Sequence, residues 1–208
     1  MEEKPIHPII VGQPALLVID IQKGSFMPDK ESGIPHMLGH DERMANALPL
    51  IETARECGVP IIFIQEVHRR DMVDFGRELD GQEAVHCLEG EESTKIADEL
   101  GMLSTDYLIR KRRYSAFFGT DLEILLKGLK AQTLILIGGL TDVCVHYTFV
   151  DAHQNDYYCR VVEDCVAGSS EEAHLASLRA MEYLQTGAIQ SGDQMIRALK
   201  QYSTSEKI

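Results

Sequence analysis

One thiol in the 208-residue chain stands where a nucleophile would be useful. Residues 134–148 read LILIGGLTDVCVHYT: an apolar run stops at Gly138-Gly139, and Cys144 follows at what reads as the first turn of a helix. A thiol reacts as its thiolate, and a helix N-terminus or a nearby cation lowers its pKa. Thr141 or Asp142 would cap that helix, leaving amides close to Cys144 that could hold a developing oxyanion. Gly138-Gly139 would let the backbone turn sharply to present the sulfur. The same cysteine could instead be a small core residue, since free cysteines are among the most buried side chains.

Two more reactive groups stand at comparable places. Asp20 closes the apolar run ALLVID at 15–20. Burial raises a carboxyl pKa and a cation lowers it, so an acid there can be tuned to carry a proton; it could also be a plain turn or cap residue. Lys111 is the one lysine in RKRRY, 110–114. Its ammonium could favour a Cys144 thiolate and polarise a substrate, or the cluster could be a solvated loop. Phe26, Tyr114, Phe117 and Phe118 lie near these segments and are candidate walls of a small pocket, some of them necessarily core. Arg112 or Arg113 could meet a substrate carboxylate or face outward in a salt bridge.

The elements that must hold these groups alternate in type. Apolar runs at 15–20, 60–65, 105–110, 133–138 and 159–164 read as strands, with a short sixth at 188–190. Over 43–57, Met44, Ala47, Leu48, Ile51 and Ala54 share one helical face, with Pro49 either kinking the helix or marking its true start. A short helix is expected at 93–100. TDLE at 120–123 reads as a capping box, Thr120 as N-cap and Glu123 reaching back, before Leu122, Leu125, Leu126 and Leu129 at helical spacing. Helices after Cys144, at 171–185 and at 192–201 follow. Residues 66–92 are charged and aperiodic and read as a long loop over one edge.

Strand and helix in alternation predict an α/β fold with a mostly parallel sheet, wound on both faces by right-handed crossovers. No repeat or linker interrupts the pattern, so a single domain over 1–208 is expected. In such sheets ligands bind beyond the carboxyl ends of the strands, where the strand order reverses. Asp20, Lys111 and Cys144 all fall at or just past strand ends.

The formal net charge of −13 repels phosphate backbones, which excludes nucleic acid as a partner. No apolar stretch approaches the roughly 20 residues of a membrane span. MEEKPIHPII lacks the basic-then-apolar character of a signal peptide, so a soluble cytoplasmic protein is expected. Cys57, Cys87, Cys144, Cys159 and Cys165 are odd in number and include no CxxC, which argues against a disulfide framework and a zinc ribbon. GxGxxG does not follow the first strand, so a dinucleotide fingerprint is absent.

Four segments together resemble the isochorismatase-like cysteine hydrolase superfamily, in its amidase branch. They are LLVIDIQKGSF at 16–26, KRRYSAFFGTDLEILLKGL at 111–129, LILIGGLTDVCVHYT at 134–148 and VVEDCVAG at 161–168. The likeness runs in order along nearly the whole chain and is weakest across 66–92. It implies a doubly wound six-stranded parallel sheet in the order 3-2-1-4-5-6, with helices on both faces and strands one and four adjacent. It implies a catalytic triad of Asp20, Lys111 and Cys144, a cis peptide at Gly139–Leu140, and an oxyanion hole from the amides of Leu140 and Cys144. The implied reaction is hydrolysis of a C–N bond in a small amide, ureide or N-carbamoyl compound through a thioester, with water as co-substrate and no cofactor. Phe26, Tyr114, Phe117 and His86 are the expected pocket, and a homodimer or homotetramer is the expected assembly.

Three rival readings accompany it. Isochorismatases cleave a vinyl ether without a nucleophilic cysteine, so Cys144 argues against that branch. Nicotinamidase-type members hold a metal with an Asp and histidines in the loop after strand two. Here that loop offers Glu66, His68 and His86, with Glu-x-His in place of Asp-x-His; a divalent metal there is the alternative to none, and His68 and His86 could instead be pocket-wall or loop residues. A catalytically silent binding protein is the third, disfavoured because all three triad types are present. His146 and His153 read as helix-surface or interface residues.

Overall fold

In the computed structural model, which describes residues 7–205, six strands form one all-parallel sheet. The strands are β1 Gln13–Ile19, β2 Ile61–Glu66, β3 Tyr107–Lys111, β4 Ala131–Gly139, β5 Tyr158–Ala167 and β6 Ile189–Gln190, in the order 3-2-1-4-5-6. The helices are α1 Asp29–Ser32, α2 His40–Ala45, α3 Ala47–Glu56, α4 Leu122–Gly128, α5 His146–Gln154, α6 Glu171–Leu184 and α7 Gly192–Ser205.

The strands are apolar on both faces because both are covered. Leu17, Ile19, Ile62, Ile64, Leu134 and Leu136 pack under α4, α5 and α6 through Leu122, Leu126, Phe149, Leu178 and Met181. Leu16, Val18, Phe63, Ile135 and Ile137 pack under α2, α3 and α7 through Met44, Leu50, Ile51, Met195 and Leu199. Each fully buried aliphatic side chain contributes about 1.5–3 kcal/mol, which is what fixes the layers. No helix among the described residues is long and apolar enough to cross a membrane.

Register decides where the site lies. Ile19 pairs with Ile64 and with Gly138, and Glu66 pairs with Lys111. The carboxyl ends of β1 to β4 therefore meet at one edge, and the order reverses between β1 and β4. Gly138 has φ +113°, and a Cβ there would stand 1.9 Å from the Ile19 carbonyl oxygen. Only glycine satisfies both the conformation and the close approach of β1. The β4–β5 register also slips between Leu136 and Gly138, a bulge that redirects the chain toward Cys144. Gly138→Ala is expected to cost at least about 3 kcal/mol, the range of backbone-strain substitutions. Calorimetric melting of the purified variant checks this, and an unchanged transition contradicts it.

Several local expectations are corrected. The 43–57 segment is two helices, α2 and α3, meeting at Asn46. Pro49 sits in the first turn of α3, where a missing N–H leaves no helical bond unmade. The helix expected at 93–100 is only a single 3₁₀ turn, Asp98–Leu100. The residues before it run alongside 21–24, with bonds from Lys23 N–H to Lys95 O (2.8 Å), Gly24 N–H to Ser93 O (2.8 Å) and Ala97 N–H to Ile21 O (3.1 Å). Those ladder-like bonds replace helical ones. The capping box at 120–123 does not form. The Thr120 hydroxyl donates to Ala116 O and accepts from Leu122 N–H, Asp121 takes the N-cap position, and Glu123 pairs with Lys127 one turn on.

Candidate active site

Beyond β1 the chain turns at Asp20, whose φ of +52° lies in the left-handed region that Asp tolerates better than most residues. Asp20 N–H still donates to Ile64 O at 3.0 Å, while Gln22 N–H and the Ser25 hydroxyl donate to Asp20 O at 3.0 and 3.1 Å. With its backbone held on both sides, Asp20 places Oδ1 against the Glu66 N–H (2.9 Å) and Oδ2 against Lys111 Nζ (2.8 Å).

Lys111 ends β3 and is fully buried. Its Nζ lies 2.8 Å from Glu66 Oε2 as well, and 3.3 Å from Cys144 Sγ. A buried ammonium persists only with compensating charge. Burial alone would lower its pKa, but Asp20, Cys144 and Glu66 outweigh that and hold it above the usual lysine value. Burial likewise pushes the Asp20 carboxyl up to about 6, against the pull of Lys111. Burial would also raise Glu66, but Lys111, His68 and His86 keep it well below the ordinary glutamate range.

Cys144 lies in a wide five-residue turn, Thr141–Val145, in which Val145 N–H reaches back five residues to Leu140 O at 3.1 Å before α5 begins. This corrects the expected capped first turn. Thr141 Oγ1 bonds His174 Nδ1 (2.9 Å) and Asp142 accepts from Ser169 N–H (2.8 Å), so neither side chain caps. The Gly139–Leu140 peptide is cis. The Cys144 sulfur is 3.7 Å from Glu66 Oε2, and carboxylate oxygens of Asp20 and Glu66 lie within 4.8 Å of it and of one another. Burial drives the thiol well above its ordinary pKa, with Lys111 opposing.

A cavity opens over these groups. Gly139, Leu140 and Cys144 line it with Asp20 and Glu66, and Glu78, Glu83, His86 and Tyr114 stand around the same space. Behind it is a second cluster. His68 Nε2 is 3.1 Å from Glu66 Oε1 and 3.1 Å from Glu78 Oε2, and His86 Nε2 is 3.5 Å from Glu66 Oε1. All four residues are buried, with donor atoms within 4.8 Å of one another. Tetrahedral bonds of about 2.0–2.1 Å place ligand atoms roughly 3.3 Å apart, so this carboxylate–imidazole set fits a four-coordinate divalent ion. His86 Nδ1 contacts Ala84 O at 2.6 Å, which directs Nε2 toward the cluster. Burial lowers the His68 pKa, but Glu66 and Glu78 outweigh it and raise the imidazole to about 9. Glu78 Oε1 has no hydrogen-bond partner among the described residues.

The family model for the isochorismatase domain matches residues 14–194, a span that contains every group just described. The chain belongs to the isochorismatase family. Within it, the chain is 29% identical to the family protein YaaI of Bacillus subtilis, over 88% of this chain and 96% of that one. It is 28% identical to the ureidoacrylate amidohydrolase RutB of Agrobacterium fabrum, over 74% of this chain and 75% of that one. An isochorismatase-like hydrolase from Alkaliphilus metalliredigens superposes with a TM-score of 0.79 at 28% identity, covering 90% of this chain and 99% of the other. The pyrazinamidase of Pyrococcus horikoshii in complex with zinc superposes with a TM-score of 0.73 at 25% identity, covering 86% and 98%.

The isochorismatase-family fold thus brings Asp20, Lys111 and Cys144 together and places Tyr114 and His86 around one cavity. Two expected pocket residues are elsewhere. Phe26 is half-exposed over a separate groove, edge-on to His40 at 6.3 Å. Phe117 packs against the core beside Tyr157 at 6.1 Å, because the Ala116 N–H bond to Thr148 Oγ1 fixes that turn on α5. Phe118 is exposed. Arg112 binds Asp74 Oδ2 at 2.8 Å and Arg113 binds the Asp74 carbonyl, so neither arginine reaches the cavity. His146 and His153 do not line it either. Glu66 was read only as a metal ligand, although an acid closing a buried strand is the same signal that singled out Asp20. Glu78 and Glu83 lie in the aperiodic 66–92 segment and carry no such signal.

Proposed function

We propose that the chain is a cysteine-dependent amidohydrolase that cleaves a C–N bond of a small amide, ureide or N-carbamoyl compound through a thioester. One observation carries the reading: Lys111 Nζ touches the Asp20 carboxylate and the Cys144 sulfur at once, beneath a cavity that both Asp20 and Cys144 line. The name of RutB supports the reaction class.

Asp20 takes the thiol proton as Cys144 attacks the carbonyl carbon. Neutralising Asp20 frees the Lys111 ammonium to stabilise the anionic sulfur, so total charge in the site is unchanged. The amides of Leu140 and Cys144 receive the tetrahedral oxyanion. Asp20 then protonates the departing nitrogen and the C–N bond breaks, leaving a thioester. Water, deprotonated by Asp20, attacks that carbonyl; the C–S bond breaks, the acid leaves, and the sulfur recovers its proton. Ammonia or amine release from a panel of small amides and ureides tests the reading. Release from at least one compound is expected; release from none, with cleavage of a vinyl ether instead, would contradict it.

A second reading adds a divalent metal at Glu66, His68, Glu78 and His86, favoured by their donor spacing and the unpartnered Glu78 Oε1. The zinc complex of the Pyrococcus pyrazinamidase supports it. Such an ion would supply Lewis-acid polarisation of a carbonyl or water. Elemental analysis should find about one zinc, manganese or iron per chain, lost in His68→Ala, and chelation should lower the melting temperature until metal is restored. Equal metal content in both proteins would contradict it.

A further inference from the structure

The cavity is one-sided in charge. Asp20, Glu66, Glu78 and Glu83 line it, and among the described residues no lysine or arginine does. Lys111 lies beneath, its ammonium committed to Asp20 and Glu66. A second, more open groove shares Glu78, Glu83, Tyr114 and Val143 with the first and adds Asp142, again with no basic residue among the described ones. Those shared residues stand where the outer groove adjoins the cavity over Cys144. Three histidines also line the cavity: His86 Nε2 faces Glu66 at 3.5 Å, His40 Nδ1 faces Asp41 at 3.2 Å, and His36 packs on His40 at 4.2 Å.

Two of the acids are short of partners. The Glu78 side chain is 3% exposed and its Oε1 accepts no hydrogen bond among the described residues. Glu83 is half-buried and has no hydrogen-bond or ion-pair partner among the described residues, while its segment is pinned by the Ala84 N–H bond to Gly33 O at 2.8 Å. Unmatched carboxylates in a partly desolvated passage are costly and call for a complementary ligand. Burial holds Glu83 up to about 7, with Glu66 and Glu78 adding to the rise and His86 opposing it.

We infer that the substrate amide carries a cationic group, an ammonium, amidinium or guanidinium, and that Glu83, with Glu78 behind it, selects for that charge. This rests on the amidohydrolase reading and names its substrate class. A cation between these carboxylates completes them, whereas a substrate carboxylate meets like charge at every step of the passage. The net charge of −13 steers in the same direction. If a metal takes Glu78, Glu83 still faces the passage.

The test compares three amides of equal chain length ending in ammonium, hydroxyl or carboxylate. Their kcat/KM is measured with the unaltered chain and their Kd with Cys144→Ala. The ammonium amide should exceed the carboxylate amide by at least about tenfold in both. Glu83→Gln should reduce that ratio by about tenfold, mostly through KM, and Glu83→Asp should retain part of it. Equal or reversed preference, or a ratio unchanged in Glu83→Gln, overturns the inference. Charge-ordered binding with no hydrolysis of any amide would sink the amidohydrolase reading and leave only the charge selection by Glu83. Hydrolysis of the carboxylate amide at the ammonium amide's rate would do the opposite.

Discussion

Replacing Cys144 with alanine should lower kcat/KM for the preferred amide by at least about 10⁴-fold while leaving the fold in place. The magnitude follows from removing the one atom that forms the covalent bond, a loss that positioning and oxyanion contacts do not recover. The fold should survive because the sulfur is not what neutralises its surroundings. Lys111 keeps both carboxylates at 2.8 Å without it. Ammonia release and a thermal melt on the same preparation read both halves. A variant retaining more than about one hundredth of the rate, with a native melt, would contradict the nucleophile assignment.

Replacing Lys111 with methionine should be costly in a different currency, losing both activity and stability. Methionine matches the buried length of lysine, so packing changes little. What changes is that the Asp20 and Glu66 carboxylates, within 4.8 Å of each other, lose the cation between them. Breaking a buried ion pair on one side costs about 3–5 kcal/mol, or about 6–20 °C in melting temperature for a chain of this size. Adding Glu66→Gln to Lys111→Met should recover part of that stability, because one buried charge fewer is left unmatched, yet restore no activity. Comparing the melts of the two single variants and the double variant isolates the coupling. Additive melting shifts would show that the three groups do not act as a unit.

The architecture was legible because each buried strand declares itself locally. ALLVID and TLILIG are continuous apolar runs, and their pairing places Ile19 and Gly138 side by side through β1 and β4, so that Asp20 follows at the same edge. The strand order came from the resemblance of whole segments, since no single run encodes its neighbour. Asp20, Lys111 and Cys144 could be picked out because each stands at or just past a strand end, where register alone decides which side chains meet. The expected helix at 93–100 failed because its backbone bonds are made to the distant 21–24 segment, a tertiary choice that overrides local propensity. The Thr120 cap failed for a similar reason: its hydroxyl is drawn back to Ala116 O. Glu78 and Glu83 were invisible because residues 66–92 follow no period, and only the folded path over the cavity gives those acids a role. Phe26 and Phe117 show the converse limit, since nearness in sequence to a reactive residue does not set which way a ring faces.

Mass spectrometry of an acid-quenched turnover mixture tests the central claim most directly. With a slowly deacylated amide, the chain should gain the mass of the substrate acyl group, and peptide mapping should place it on Cys144 as a thioester. Turnover with no adduct at any time point, or an adduct mapped to Cys57, Cys87, Cys159 or Cys165, would contradict the claim.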